Sequence, residues 1–249
     1  MTDTPAIPAA TLILARRAGA GVPQLLMVER AATMAFAAGA MVFPGGRVDP
    51  EDRRMGEMLG ISHGAAIVAA IRETIEETAV PVALDPLPSR ELALALQQEL
   101  LAEVPLAALL ERHGLAIVPG KLTPFAHWIP KLHVARRFDT LFFLAESPPG
   151  DWQPVVGEHE NRSAAWLSAG EVLRRDGAGE ASLIFPTRCT LHRLAQHGSI
   201  AAMRDDAARH PVEPVSPWVE EKDGERMLTI PTHLGYPVTQ ERVDALWRG

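Results

Sequence analysis

Residues 72–80, Arg-Glu-Thr-Ile-Glu-Glu-Thr-Ala-Val, place three carboxylates within five positions. The surrounding segment, Gly64 to Thr78, reads as a helix closed by Val80-Pro81, because proline resists continuing one. Residues three and four apart share a helix face, so Glu73, Glu76 and Glu77 project from one side. Ile67, Ile71 and Ile75, flanked by Val68, form an apolar stripe along another. Clustered carboxylates repel one another. They are reconciled if a hard divalent cation, Mg²⁺ or Mn²⁺, sits among them and shares its shell with waters and phosphates. The plainer reading is a solvated, Glu-rich face.

The elements before this helix favour the first reading. Phe43-Pro44-Gly45-Gly46 overlaps a short apolar run, Met41-Val42-Phe43. Two glycines after a strand permit a tight turn and close approach of the backbone to a ligand.

Together, FPGG, an acidic stretch and RETIEETAV resemble the Nudix box, G-x5-E-x7-R-E-U-x-E-E-x-G-U with U aliphatic. Gly46, Arg72, Glu73, Glu76, Glu77 and Val80 match it, and the upstream acid is Asp52 or its neighbour Glu51. Thr74 stands where an aliphatic residue is usual and Ala79 where glycine is usual. Nineteen residues separate Asp52 from Arg72 instead of seven, an insert of about twelve. The insert resembles a Nudix branch that includes peroxisomal coenzyme A diphosphatases and bacterial relatives. The stretch from Leu26 to Gly46 is similar to that branch's coenzyme A signature at Arg30, Ala31, Gly39 and FPGG, with Ala35 replacing its second arginine. Residues 137–143, Arg-Phe-Asp-Thr-Leu-Phe-Phe, look like the same branch.

The resemblance implies an α/β/α sandwich with a mixed sheet. It also implies metal-dependent hydrolysis of a diphosphate linkage in a small nucleoside diphosphate derivative, coenzyme A or acyl-coenzyme A first. ADP-ribose, NADH and dinucleoside polyphosphates stay open. It makes Glu76 and Glu77 the direct metal ligands, with Glu73 a ligand or a group behind them. Arg72 is expected to orient a carboxylate through a bidentate bond. Gly45, Gly46 and Arg30 are expected to meet substrate. Glu160, from the acidic loop that also holds Glu158, is the preferred further catalytic acid or base. Two other functions are weighed. A non-catalytic nucleotide-binding regulator would be expected to lack these carboxylates. RNA decapping would want a basic or aromatic groove, and aromatics are 5% of the chain.

Composition sets the wider bounds. The 249 residues, 47% hydrophobic, suffice for one elaborated domain with a substantial core. That domain spans 1–249, with the box insert at about 52–63 and a helical insert at about 86–118. A net charge of −7 argues against broad binding to nucleic acid or anionic membrane. A single cysteine, Cys189, excludes an internal disulfide. With no secretory pattern and no long apolar run, a soluble cytoplasmic protein is expected. The reading leaves room for a homodimer. Asp139, in an apolar strand, needs a partner, and Arg136 or Arg137 is expected to supply it. His63 is expected to cap the carboxylate helix, and the box insert, with room for a short helix, is expected to loop away from it. His127, His133 and His159 read as surface polar groups, and Phe142-Phe143 as core.

Overall fold

The computed structural model describes residues 5–19, 21–31, 37–129, 137–157 and 161–243. The chain runs β1 (Ile7–Arg16), β2 (Gln24–Arg30), β3 (Met41–Val42), β4 (Gly45–Arg47), α1 (Pro50–Leu59), α2 (Gly64–Thr78) and β5 (Leu84–Asp85). It continues with α3 (Arg90–Leu101), α4 (Leu106–His113), β6 (Ala116–Ile117), β7 (Thr123–Trp128), β8 (Phe138–Glu146) and β9 (Asn161–Ser168). Helices α5 (Ala169–Gly177), α6 (Phe185–Leu194) and α7 (Ile200–Arg209) follow. Four short strands close it: β10 (Pro214–Val215), β11 (Trp218–Lys222), β12 (Glu225–Thr229) and β13 (Gln240–Arg242).

A mixed sheet is the central layer, ordered β10-β7-β8-β1-β2-β3. Strand β1 runs parallel to β8 from Ile7 to Ala15, and β7 lies antiparallel to β8. Side chains alternate across the sheet, as the strand period of two requires. Ala10, Leu12 and Leu14 join a core with α2, α3 and α4, while Ile13 and Ala15 join one with α5, α6 and α7. The same division separates Phe143 from Phe142. The result is the α/β/α sandwich expected from the box.

The sheet forks at the place that matters. Strands β1 and β2 pair only at their hairpin end, Ala15↔Leu25 and Arg16↔Gln24. Beyond it they diverge, and the chain around FPGG fills the gap. Strand β3 pairs with β2 through Val42↔Val28, and β4 pairs with β1 through Gly45↔Thr11 and Gly46↔Ala10. Pro44 accepts the Leu12 N–H at 2.9 Å.

The box insert does not loop away. Residues 50–59 form α1, which packs along α2. A methyl group on Gly56 would lie 2.6 Å from Ala65 Cα and from the Gly64 carbonyl carbon. Only hydrogen at Gly56 lets the two backbones meet this closely. His63 sits at the N-cap of α2 with φ 60°, but its side chain makes no capping bond. Helices α3 and α4 leave and return through the β5–β6 pair, Leu84↔Ile117 and Asp85↔Ala116. Their Ala93, Leu96, Leu100, Leu106, Leu109 and Leu110 bury into the core that holds Ile71 and Ile75. Ser168 caps α5 by accepting the Glu171 N–H, as its position suggests. No helix among the described residues is long and apolar enough to cross a membrane.

Candidate active site

Helix α2 is amphipathic with a buried majority, so its carboxylates are held against protein rather than splayed into water. Ile67, Ile71 and Ile75 fix its rotation by burying into the core. That rotation turns residues 72, 73, 76 and 77 toward β4 and α1. Thr74, in place of an aliphatic residue, is fully buried and donates its hydroxyl to the Ala70 carbonyl at 2.7 Å. Its polar atom is satisfied inside the helix.

Arg72 is the hub. Its Nε donates to Asp52 Oδ1 at 3.1 Å and its Nη2 to Asp52 Oδ2 at 2.9 Å, a bidentate bond. Nη2 also donates to the Arg47 carbonyl at 2.9 Å. Nη1 reaches Glu76 Oε2 at 2.9 Å and lies 3.1 Å from Glu73 Oε1. One buried guanidinium thereby ties β4, α1 and two carboxylates of α2 together. Burial by itself would lower the Arg72 pKa. The bond to Asp52 and the charges of Glu73, Asp52 and Glu76 outweigh it, so the net shift is upward. Of the two upstream acids, Asp52 takes the role. Its own geometry is locked because it also accepts the Asp49 N–H at 2.8 Å. Glu51 turns outward to Arg54.

The two glycines of FPGG serve the carboxylates. Gly45 N–H donates to Glu77 Oε2 at 2.9 Å. Its φ of 154°, and the 2.7 Å from a would-be Cβ to Thr11 Cα, admit no side chain. A Cβ on Gly46 would run into the Glu73 carboxylate. Arg30, at the end of β2, brings Nη1 to 4.0 Å from Glu77 Oε1. Burial pushes the Glu73 carboxyl well above the usual carboxylate range, and the nearby Glu77 and Glu76 push the same way against Arg72.

The fold has a solved counterpart. A Nudix hydrolase from Alicyclobacillus acidocaldarius is 29% identical, with TM-score 0.68 over 80% of this chain and 96% of that one. This chain is a Nudix-fold hydrolase. Two more distant structures also align, each with 14% identity. One is the Nudix domain of Shewanella oneidensis NrtR bound to ADP ribose, with TM-score 0.45 over 78% of this chain and 88% of that one. The other is a MutT protein from Methanosarcina mazei Go1, with TM-score 0.44 over 79% and 97%. Likeness of that degree speaks to neither substrate nor mechanism. No family model matches the chain.

The Nudix helix carries a donor set suited to a hard cation. Asp52, Glu73, Glu76 and Glu77 gather four carboxylates around the Arg72 guanidinium, with Arg30 Nη1 4.0 Å from Glu77. The upward push on Glu73 comes first from burial, with the charges of Glu77 and Glu76 adding to it against Arg72. Among the described residues no three acids, histidines or cysteines close into a cage. An all-carboxylate donor set suits a hard divalent cation, which takes oxygen ligands and keeps waters and phosphate oxygens in its shell.

Other residues singled out in the sequence fall elsewhere. Glu158, His159 and Glu160 lie outside the described residues, as do Ala35, His133 and Arg136. Asp139 pairs with His127, Nε2 to Oδ1 at 2.6 Å; of the two arginines expected beside it, Arg136 lies outside the described residues. The pairing follows from strand register: β7 and β8 are adjacent, with His127 opposite Leu141 and Trp128 opposite Thr140. Two participants in the arginine network went unread in the sequence, the Arg47 carbonyl and Asp49. A backbone acceptor carries no residue-type signal. Asp49 did have one: it precedes Pro50 where a helix begins.

Proposed function

We propose that this hydrolase cleaves a diphosphate linkage in a nucleoside diphosphate derivative with a divalent cation held by Glu73, Glu76 and Glu77. The supporting observation is Arg72 holding Asp52 bidentately while touching Glu73 and Glu76. That arrangement leaves the carboxylates oriented, desolvated and mutually repelling. A bound cation supplies charge neutralisation of the diphosphate and a more acidic water. The chain's part is positional. Arg72 fixes the rotamers of Glu73 and Glu76, Gly45 N–H fixes Glu77, and Arg30 adds positive charge at the rim. Glu160 is our candidate for the group that takes the proton from the attacking water.

Coenzyme A or an acyl-coenzyme A is the favoured substrate, on the match from Arg30 through Gly39 to Gly46. The loop in that match is clipped at its base, where Gly39 N–H donates to the Arg30 carbonyl at 3.1 Å and Arg30 N–H to Ala40 at 3.0 Å. Arg30 is thereby carried to within reach of Glu77. ADP-ribose, NADH and dinucleoside polyphosphates remain the alternatives. The test is product-resolved hydrolysis of these four classes with Mg²⁺ and with Mn²⁺, in wild type, Glu76→Gln and Glu77→Gln. Metal-dependent turnover that collapses at least 100-fold in both variants, with folding retained, is expected. Wild-type rates in both variants at limiting metal would overturn the assignment. Turnover of another compound with none of coenzyme A would overturn the substrate alone.

A further inference from the structure

Where β2 meets β9 the ladder slips by one residue. Glu29 pairs with Ser163, but Arg30 pairs with Asn161, so Arg162 is the extra residue of a bulge. The slip keeps Arg30 and Asn161 opposite each other on one face. It is the face of Leu26 and Trp166, which pair further along the same strands and bury into the core with α2. Glu29 points the other way and accepts the Ser163 hydroxyl at 2.8 Å. Opposed side chains in such a pair stand about 5 Å apart.

Both members of the pair are incomplete. Asn161 is 7% exposed, and its Oδ1 has no hydrogen-bond partner; Arg30 Nε is likewise buried and without one, among the described residues. A buried donor and a buried acceptor on neighbouring strands, both unmet, are uncommon in a folded protein. They sit at the edge of the carboxylate face, since Arg30 Nη1 is 4.0 Å from Glu77 Oε1.

We infer that Asn161 and Arg30 form the subsite for the sugar next to the diphosphate, with Asn161 a specificity-determining residue. This rests on the proposed function. A diphosphate that shares a divalent cation with Glu76 and Glu77 would put its adjoining sugar within reach of Arg30. A hydroxyl both accepts and donates, so one such group accepts from Arg30 Nε–H and donates to Asn161 Oδ1. Phosphate alone has no proton for Asn161. A site built to bond a hydroxyl rejects the analogue lacking it, because its own buried groups are then left unpaired.

The probes are ADP and 2′,3′-dideoxy-ADP, titrated calorimetrically with Ca²⁺ present as the divalent cation into wild type, Asn161→Leu and Asn161→Ala. Wild type is expected to prefer ADP by about tenfold or more. Both variants should bring that ratio within about threefold of one. Because it is a ratio within one protein, general loosening of the fold cancels from it. Asn161→Leu should leave the melting temperature equal or higher, since it removes an unpaired buried oxygen at similar volume. A ratio near one in wild type, or an unchanged ratio in both variants, overturns the inference and leaves a notch filled by water. Failure of the proposed function shows separately, as absence of metal-dependent turnover across the diphosphate panel.

Discussion

Removing Asp52 tests whether Arg72 is the keystone of the site. In Asp52→Ala, Arg72 loses both bonds of its bidentate pair, 3.1 and 2.9 Å, at a carboxylate only 1% exposed. Stranding one partner of a buried ion pair costs about 3–5 kcal/mol. Arg72 keeps the Arg47 carbonyl, Glu73 and Glu76, so the low end applies, about 3 kcal/mol. The matched control is Glu51→Ala, which breaks the exposed pair with Arg54 one residue away and should cost under about 1 kcal/mol. The assay is urea denaturation of wild type, both variants, Arg72→Met, and the Asp52→Ala/Arg72→Met double variant. The double-mutant cycle should return a coupling of about 2–3 kcal/mol. Activity of Asp52→Ala should fall with metal affinity, since the freed guanidinium settles further onto Glu73 and Glu76. An Asp52→Ala cost no larger than that of Glu51→Ala, or a coupling indistinguishable from zero, would falsify the keystone role.

Three further outcomes are expected. Ala79 closes α2 at φ 56°, where the box usually has glycine, so Ala79→Gly should stabilise the protein by about 1 kcal/mol, read as a higher denaturation midpoint with unchanged kcat. Gly56→Ala should destabilise by about 1–3 kcal/mol and reduce activity, because the new methyl meets backbone of Gly64 and Ala65 and drives α1, with Asp52, off α2. Gly60→Ala, at φ 61° with open space around it, should cost about 1 kcal/mol and leave activity intact; equal effects from the two would sink the argument. Burial raises the Cys189 thiol and the Tyr236 hydroxyl to about 12 each, from ordinary values of 9 and 10. Unfolding lets both ionise sooner, so their stabilisation is complete below pH 9 and drains away between pH 9 and 12. Pairing Tyr236→Phe with wild type in alkaline denaturation should show the loss in the second half of that window shrink.

The helices and long strands were legible because their signals are local. The run from Gly64 to Thr78 has a four-residue apolar repeat and a proline stop, and its bounds are those of α2. Asp223-Gly224, which turns β11 into β12, is another local signal: both residue types tolerate positive φ, and they adopt 53° and 80°. The fork in the sheet was not legible. Strands β3 and β4 are two and three residues long, too short for a period to show, and they exist because β1 and β2 diverge. The His127 partner of Asp139 went unread for a related reason. Sequence neighbours of Asp139 are arginines, but strand register brings in His127, twelve residues upstream.

The box insert shows the same divide between chain path and endpoint. A pattern with seven residues between the upstream acid and Arg72 encodes a route, and this chain takes nineteen. What the chemistry needs is only that a carboxylate arrive beside Arg72 with its other lone pairs occupied. Here a helix supplies it. Asp49-Pro50 starts α1, Asp52 lies in its first turn, Gly60 in the left-handed region ends it, and Gly56 lets it fold back onto α2. The extra residues therefore lengthen the loop between two fixed points without moving either, and lengthening a loop adds little to its closure cost. The glycine pair before the insert answers to the same endpoint. Gly45 and Gly46 read as room for a ligand, yet the atoms that fill that room are the carboxylates of Glu77 and Glu73. The backbone of β4 and the carboxylate face of α2 are in contact before any substrate arrives. The role of these glycines in the fold is therefore to seat the carboxylates, whatever further contact they make with substrate.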